Sequence, residues 1–175
     1  MSFLYVLDIV EDTIVDGPGF RTTIYSAGCP HHCLGCHNPQ SWNIENGYPE
    51  SVDAIFERIK NNPVSNITFS GGEPFVQVAG FTALAKRIKE ETDKTIWCYT
   101  GYLYEELIKN QQSKELLSYL DVLVDGRFEL ALKDENLRFR GSSNQRIINL
   151  KKQLSSKIKL PVDEICLLEP SFACV

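Results

Sequence analysis

Cys29, Cys33 and Cys36 fall in the run Cys29-Pro30-His31-His32-Cys33-Leu34-Gly35-Cys36. Three thiolates on one short loop can hold three irons of a four-iron cluster, whereas full protein ligation takes four cysteines. The fourth iron is then open to a substrate. An open metal position is what separates a catalytic site from a closed structural one. The loop reads as the ligand set of a [4Fe–4S] cluster. A structural zinc site of three cysteines with His31, His32 or His37 is the competing reading. Disulfides are disfavoured, because these cysteines are too close together to staple distant elements.

A second chemical stretch is Gly71-Gly72-Glu73-Pro74. Its glycines let a backbone approach a ligand closely. Glu73 can accept hydrogen bonds from an ammonium group, as can nearby carbonyls. Pro74 fixes the exit into the next helix. Asp16-Gly17-Pro18-Gly19 forces a turn upstream of the cysteines.

The elements that position these residues follow from periodicity. Phe3 to Val10 alternates and predicts a strand, placed at an edge; Arg21 to Ser26 predicts the next. The cysteine loop leaves this second strand at its carboxyl end, where α/β barrels carry their active sites. Ser51 is a good N-cap for a helix with Val52, Ile55, Phe56 and Ile59 on one face. In the strand Asn66 to Ser70, Ile67 and Phe69 share one face and Thr68 and Ser70 the other. Phe81, Leu84, Ala85 and Ile88 mark a second helix. Thr95 to Thr100 is a third strand. A helix through Leu107, another from Ser113, the short strand Val122 to Val124 and a last strand at Ile147 and Ile148 complete the pattern. Alternating strands and helices imply a parallel sheet with right-handed crossovers. The fold expected is α/β: an incomplete, TIM-like (βα) barrel with a lateral opening. One domain over residues 1–175 is expected, with an N-terminal strand region (1–15), a barrel core (20–150) and a tail (151–175).

The net charge is −5 and no basic run stands out. Duplex nucleic acid needs a basic footprint, so it is not an expected partner. No apolar run is long enough to cross a bilayer. The first residues lack a basic leader, so a cytoplasmic location is expected, with thiols kept reduced. The lysine-rich run from Lys151 reads as a solvated face. Cys98, Cys166 and Cys174 read as buried or idle thiols.

With these motifs in place the chain resembles the radical S-adenosylmethionine superfamily, through Cys-x3-Cys-x2-Cys followed by Gly-Gly-Glu-Pro. Within it, the resemblance is to glycyl-radical activases. Asp16 to Gly19 with Arg21, His37-Asn38-Pro39 with Trp42, and Gly71 to Pro74 carry that likeness. Trp97 to Tyr102, Asp125 to Phe128 and Arg140 to Arg146 point to the branch serving anaerobic (class III) ribonucleoside-triphosphate reductase, rather than pyruvate formate-lyase.

The resemblance implies a [4Fe–4S] cluster on Cys29, Cys33 and Cys36, with S-adenosylmethionine on the open iron. Gly71, Gly72, Glu73 and Pro74 would hold its methionyl end, and Gly35, Cys36 and His37 would lie against it. Reductive cleavage yields a 5′-deoxyadenosyl radical, which takes hydrogen from a glycine of the reductase. The implied partners are that glycyl-radical subunit and an electron donor such as reduced flavodoxin. Asp16 to Gly19 would lie near the incoming peptide, and Gly141 to Arg146 near the cofactor or the reductase. Asp125 would bind the ribose or pair with an arginine. One departure stands out: the position before the last cysteine is often aromatic in the superfamily, and here it is Gly35.

Overall fold

The structure, a computed structural model of the chain, describes residues 2–151. The tail from 152, with Cys166, Cys174 and all but the first residue of the lysine-rich run, lies outside them. In chain order the elements are β1 (Phe3–Thr13), β2 (Arg21–Ser26), β3 (Tyr48–Ser51), α1 (Val52–Asn61), β4 (Asn66–Gly71) and α2 (Val78–Glu91). Then come β5 (Ile96–Tyr99), α3 (Tyr104–Leu107), α4 (Gln111–Tyr119), β6 (Val122–Asp125) and β7 (Arg146–Asn149). Local chemistry sets several boundaries. The Ser51 hydroxyl accepts from Ala54 N–H at 3.1 Å and starts α1. Asn110 accepts from Gln112 and Ser113 N–H, so α4 opens two residues before the expected Ser113.

The strands form one seven-stranded sheet in the order β3-β1-β2-β4-β5-β6-β7. The central strands β2, β4, β5 and β6 are parallel, as the alternation of strand and helix predicts. Both flanks correct that expectation. β1 is antiparallel to β2 and to β3, and β7 is antiparallel to β6. The reason is connectivity. A parallel return needs a crossover, usually a helix, and no α-helix lies between β1 and β2 or between β6 and β7. Among the described residues the sheet is open, with β3 and β7 as its edges. β1 is thus an inner strand. Its cover, β3, escaped the sequence reading because it is short and carries Pro49, which lacks the donor that an inner strand needs.

The two faces of the sheet differ. Ile24, Ile67, Phe69, Ile96, Cys98 and Leu123 point to the helices and join Ile55, Phe56, Phe81, Leu84, Ile88 and Leu116 in the main core. Each of these side chains contributes about 1.5–3 kcal/mol by burial. The alternate residues face the other way. There Trp97, Val122, Val124 and Ile147 make a smaller cluster with Tyr99 and Phe139, and Arg21, Tyr25, Thr68 and Ser70 complete the face. Among the described residues that face carries no α-helix.

Candidate metal and cofactor site

Parallel strands end at one edge of a sheet, so motifs far apart in sequence meet there. The cysteine loop leaves β2, and Gly71 to Pro74 leaves β4. Thr100 and Gly101 follow β5, and Gly126 to Leu132 follows β6. Gly72 N–H donates to Ser26 O at 2.7 Å and Glu73 N–H to Gly28 O at 2.9 Å. The two glycines have a steric reason. Gly71 has φ of +91°, and a Cβ there would stand 2.6 Å from Ser26 N; one on Gly72 would stand 2.6 Å from Gly28 O. They let the β4 end press against the start of the cysteine loop.

Cys29, Cys33 and Cys36 are partly exposed free thiols. Burial pushes the Cys29 thiol up, and the nearby charges of Glu73, Cys33 and Cys36 add to that push. Asn38 N–H points at Cys36 Sγ, 3.4 Å away. Backbone bonds from Gly28 N–H to Ser41 O and from Cys29 N–H to Trp42 O tie the loop to its own exit. Among the described residues no three His, Cys, Asp or Glu side chains converge on one metal ion. A cluster takes its thiolates on separate irons, and N–H···S bonds and exposure tune its potential. Three free, partly exposed thiols with one such donor are a fitting ligand set for it.

The expectation for Glu73 changes in the structure. Its carboxylate is buried (0 % exposed). It accepts from Thr100 Oγ1 at 2.8 Å, Gly101 N–H at 2.8 Å and Phe75 N–H at 3.1 Å, and it pairs with His31 Nε2 at 2.8 Å. Four partners leave the carboxylate as a brace between three loops. Only the backbone of this motif faces the open side, where Gly71 borders a cavity.

That cavity, of about 710 Å³, lies on the helix-free face. Its volume is within the ordinary range for small-molecule sites. Cys36 and His37 border it, as do Ser70 at the end of β4 and Tyr25 and Tyr99 on the strands. Asp16 reaches it from the turn before β2 and accepts a short hydrogen bond from the Tyr25 hydroxyl. Burial first, then Asp16, pushes the Tyr25 phenol well above its ordinary value. The turn is held by a buried arginine: Arg21 donates to Pro18 O, to Thr68 Oγ1 and to Ile67 O. Thr68 in turn donates to Asp16 O at 2.8 Å.

Of the expected site residues, Cys36, His37 and Gly71 border the cavity directly. Gly35 is exposed beside Leu130, and Gly72 and Pro74 serve the packing of the β4 exit. Gly141 and Gln145 also border the cavity, in the loop for which the resemblance implies a place near the cofactor or the reductase. Arg146 pairs instead with Asp125 and Glu105. Of the two roles open to Asp125, the structure shows the arginine pair. Phe128 lines the cavity and had no signal in composition or periodicity.

The sequence from residue 15 to 148 matches the family model described as a 4Fe-4S single cluster domain. A Vibrio cholerae protein is 39% identical over 142 residues, covering 77% of this chain and 90% of that protein. A Pasteurella multocida protein is 39% identical over 142 residues, with the same coverage. A Salmonella typhi protein is 39% identical over 146 residues, covering 79% of this chain and 94% of that protein. Each is named anaerobic ribonucleoside-triphosphate reductase-activating protein. A chain that shares nine-tenths of those proteins' length, and whose three-thiol loop brings Cys36 to the border of one cavity, belongs to the family of anaerobic ribonucleoside-triphosphate reductase-activating proteins, built on a 4Fe-4S single cluster domain.

Proposed function

We propose that this chain activates an anaerobic ribonucleoside-triphosphate reductase by radical S-adenosylmethionine chemistry. The observation that carries the reading is the placement of Cys36, from a loop of three free thiols, at the edge of a cavity of about 710 Å³ on the open face of the sheet. When bound, the cluster and S-adenosylmethionine would supply a 5′-deoxyadenosyl radical that takes a hydrogen atom from a glycine of the reductase.

The chain's own residues have distinct tasks in this reading. Cys29, Cys33 and Cys36 hold three irons and leave the fourth open. Backbone groups of Gly71 and Gly72, at the end of β4, take the methionyl ammonium in place of the engaged Glu73 carboxylate. Gly35 and His37 flank the last ligand. The sheet acts as an incomplete barrel, and its uncovered side admits the glycine-bearing segment past Asp16 to Gly19. An electron donor such as reduced flavodoxin supplies the electron. The protein works as a single domain in the cytoplasm; among the described residues no helix is long and apolar enough to cross a membrane.

The test is anaerobic reconstitution with iron and sulfide. The expected result is about four irons per chain, a reduced-cluster paramagnetic resonance spectrum altered by S-adenosylmethionine, and a glycyl radical on added reductase. Serine at position 29, 33 or 36 should abolish all three. Uptake of one zinc with no response to the cofactor would overturn the reading.

A further inference from the structure

The segment from Gly126 to Leu132 lies over the cysteine loop. Leu130 fills the space beside Gly35: a Cβ at position 35 would stand 2.9 Å from Leu130 Cδ1. Gly35 itself offers no side chain as a flat wall for a ligand. Two residues earlier, the Phe128 ring stands against His37, with centroids 5.4 Å apart. Phe128, His37 and Cys36 all border the cavity.

The loop before β7 fastens this segment. Asn144 Nδ2 donates to Arg127 O at 2.8 Å, and Gln145 Nε2 donates to Gly126 O at 3.0 Å. Glu129 N–H donates to the Ser142 hydroxyl at 3.2 Å. Gln145 Oε1 accepts from Gly141 N–H at 2.8 Å and Ser142 N–H at 3.2 Å. The Gln145 amide is thus engaged on both sides and acts as a brace, not as a ligand donor. Gly141 lies against the Phe128 ring, where a Cβ would come within 3.0 Å of Cδ2. A polar loop that borders a cavity with its backbone held this way sets the place of one aromatic ring.

The two tyrosines on the cavity are tied elsewhere: Tyr25 has its hydroxyl on Asp16, and Tyr99 packs with the Trp97 cluster. Phe128 carries no polar group and stands against His37, the residue that follows the last cysteine. A purine has apolar faces and a polar rim, and stacking on an aromatic side chain recognises the face of the base. We propose that Phe128 is the platform on which the adenine of S-adenosylmethionine stacks, held in place by Gly141 and Gln145. This deepens the cofactor reading above and rests on it.

Equilibrium dialysis of S-adenosylmethionine against the reconstituted, anaerobic protein tests the proposal. Loss of one stacking contact corresponds to roughly tenfold weaker binding. Phe128→Ala and Phe128→Leu should each show that loss, and Phe128→Tyr should stay within about twofold of wild type. Methionine, which lacks the base, should perturb the reduced cluster's paramagnetic resonance equally in all four proteins. That control also reports that each variant is folded. Wild-type affinity in Phe128→Ala would overturn the platform. So would recovery by Leu, which marks simple space filling, or an equal loss of methionine and S-adenosylmethionine. A wild-type protein that takes up no S-adenosylmethionine would instead bring down the cofactor reading, and the platform with it.

Discussion

His31, placed between two of the cysteines, sets its Nε2 atom 2.8 Å from Oε2 of Glu73, and both side chains are buried from solvent. The ring also meets Tyr102 edge-on at 4.6 Å between centroids. This contact joins the cysteine loop to the β4 exit, and the other bonds of Glu73 extend it to the β5 exit. Three loops from three parallel strands are thereby locked around one carboxylate. A buried carboxylate is tolerated only with its hydrogen bonds made, so the lock is all or nothing.

His31→Ala should therefore loosen the cysteine loop. Loss of one hydrogen bond to a charged group costs about 1.5–3 kcal/mol. Urea unfolding of the iron-free protein should show that loss, and iron retained after reconstitution should fall. Unchanged unfolding together with full iron content would remove His31 from this role.

Gly101 leaves no room beside the same ring: a Cβ there would overlap the imidazole of His31. Gly101→Ala should cost about 1–3 kcal/mol, as overpacking usually does. The test is a double-mutant cycle. In the His31→Ala background the Gly101→Ala cost should largely vanish, because the clash is gone. Strict additivity would show that the two positions do not touch.

Arg146 forks onto Asp125 and Glu105, with its Nη2 2.7 Å from Glu105, and Asp125 is fully buried. The hydrogen bonds it donates to Asp125 first, then to Glu105, raise the guanidinium above its ordinary value. Arg146→Ala strips the buried carboxylate of this partner, at a cost of roughly 3 kcal/mol. Arg146→Lys should recover only part, since an ammonium cannot reproduce the fork. Chemical denaturation measures both. Equal stability of Arg146→Ala and wild type would contradict the pairing.

Tyr25 gives the protein an alkaline limit. Burial and the Asp16 carboxylate raise its folded-state value above the 10.0 of an ordinary tyrosine. The associated stability is fully present below that unfolded value. It is lost as pH rises toward the folded one, because the unfolded chain releases the proton first. Asp16→Asn removes one cause and leaves the burial cause, so Tyr25 should ionise earlier but still late for a tyrosine. Ultraviolet titration of the phenolate reads this directly. A Tyr25 that ionises like a free tyrosine in the wild type would refute it.

Much of the architecture was legible from periodicity. Ile67 and Phe69 alternate with Thr68 and Ser70, and the structure sends the first pair to the helices and the second to the open face. Ser51 caps α1 where expected. The flanking strands were less legible. β3 is a four-residue strand with a proline, and strand direction at the flanks depends on connections, not on the strands' own residues.

By itself the sequence determined the chemistry on offer: three cysteines at metal-binding spacing, a Gly-Gly-Glu-Pro turn and repeated strand–helix units. Those are local matters of residue type and period. Only the tertiary structure decided what each motif does. Glu73 looked like a ligand and is a brace, because its direction is set by His31, Thr100 and Gly101. The 141–146 loop, with no local pattern that says so, fastens the segment carrying Phe128 at the cavity. Such roles arise where the ends of parallel strands meet, between residues 27 to 42 positions apart for Glu73 with Thr100, Gly101 and His31, and no local pattern in the chain records that meeting.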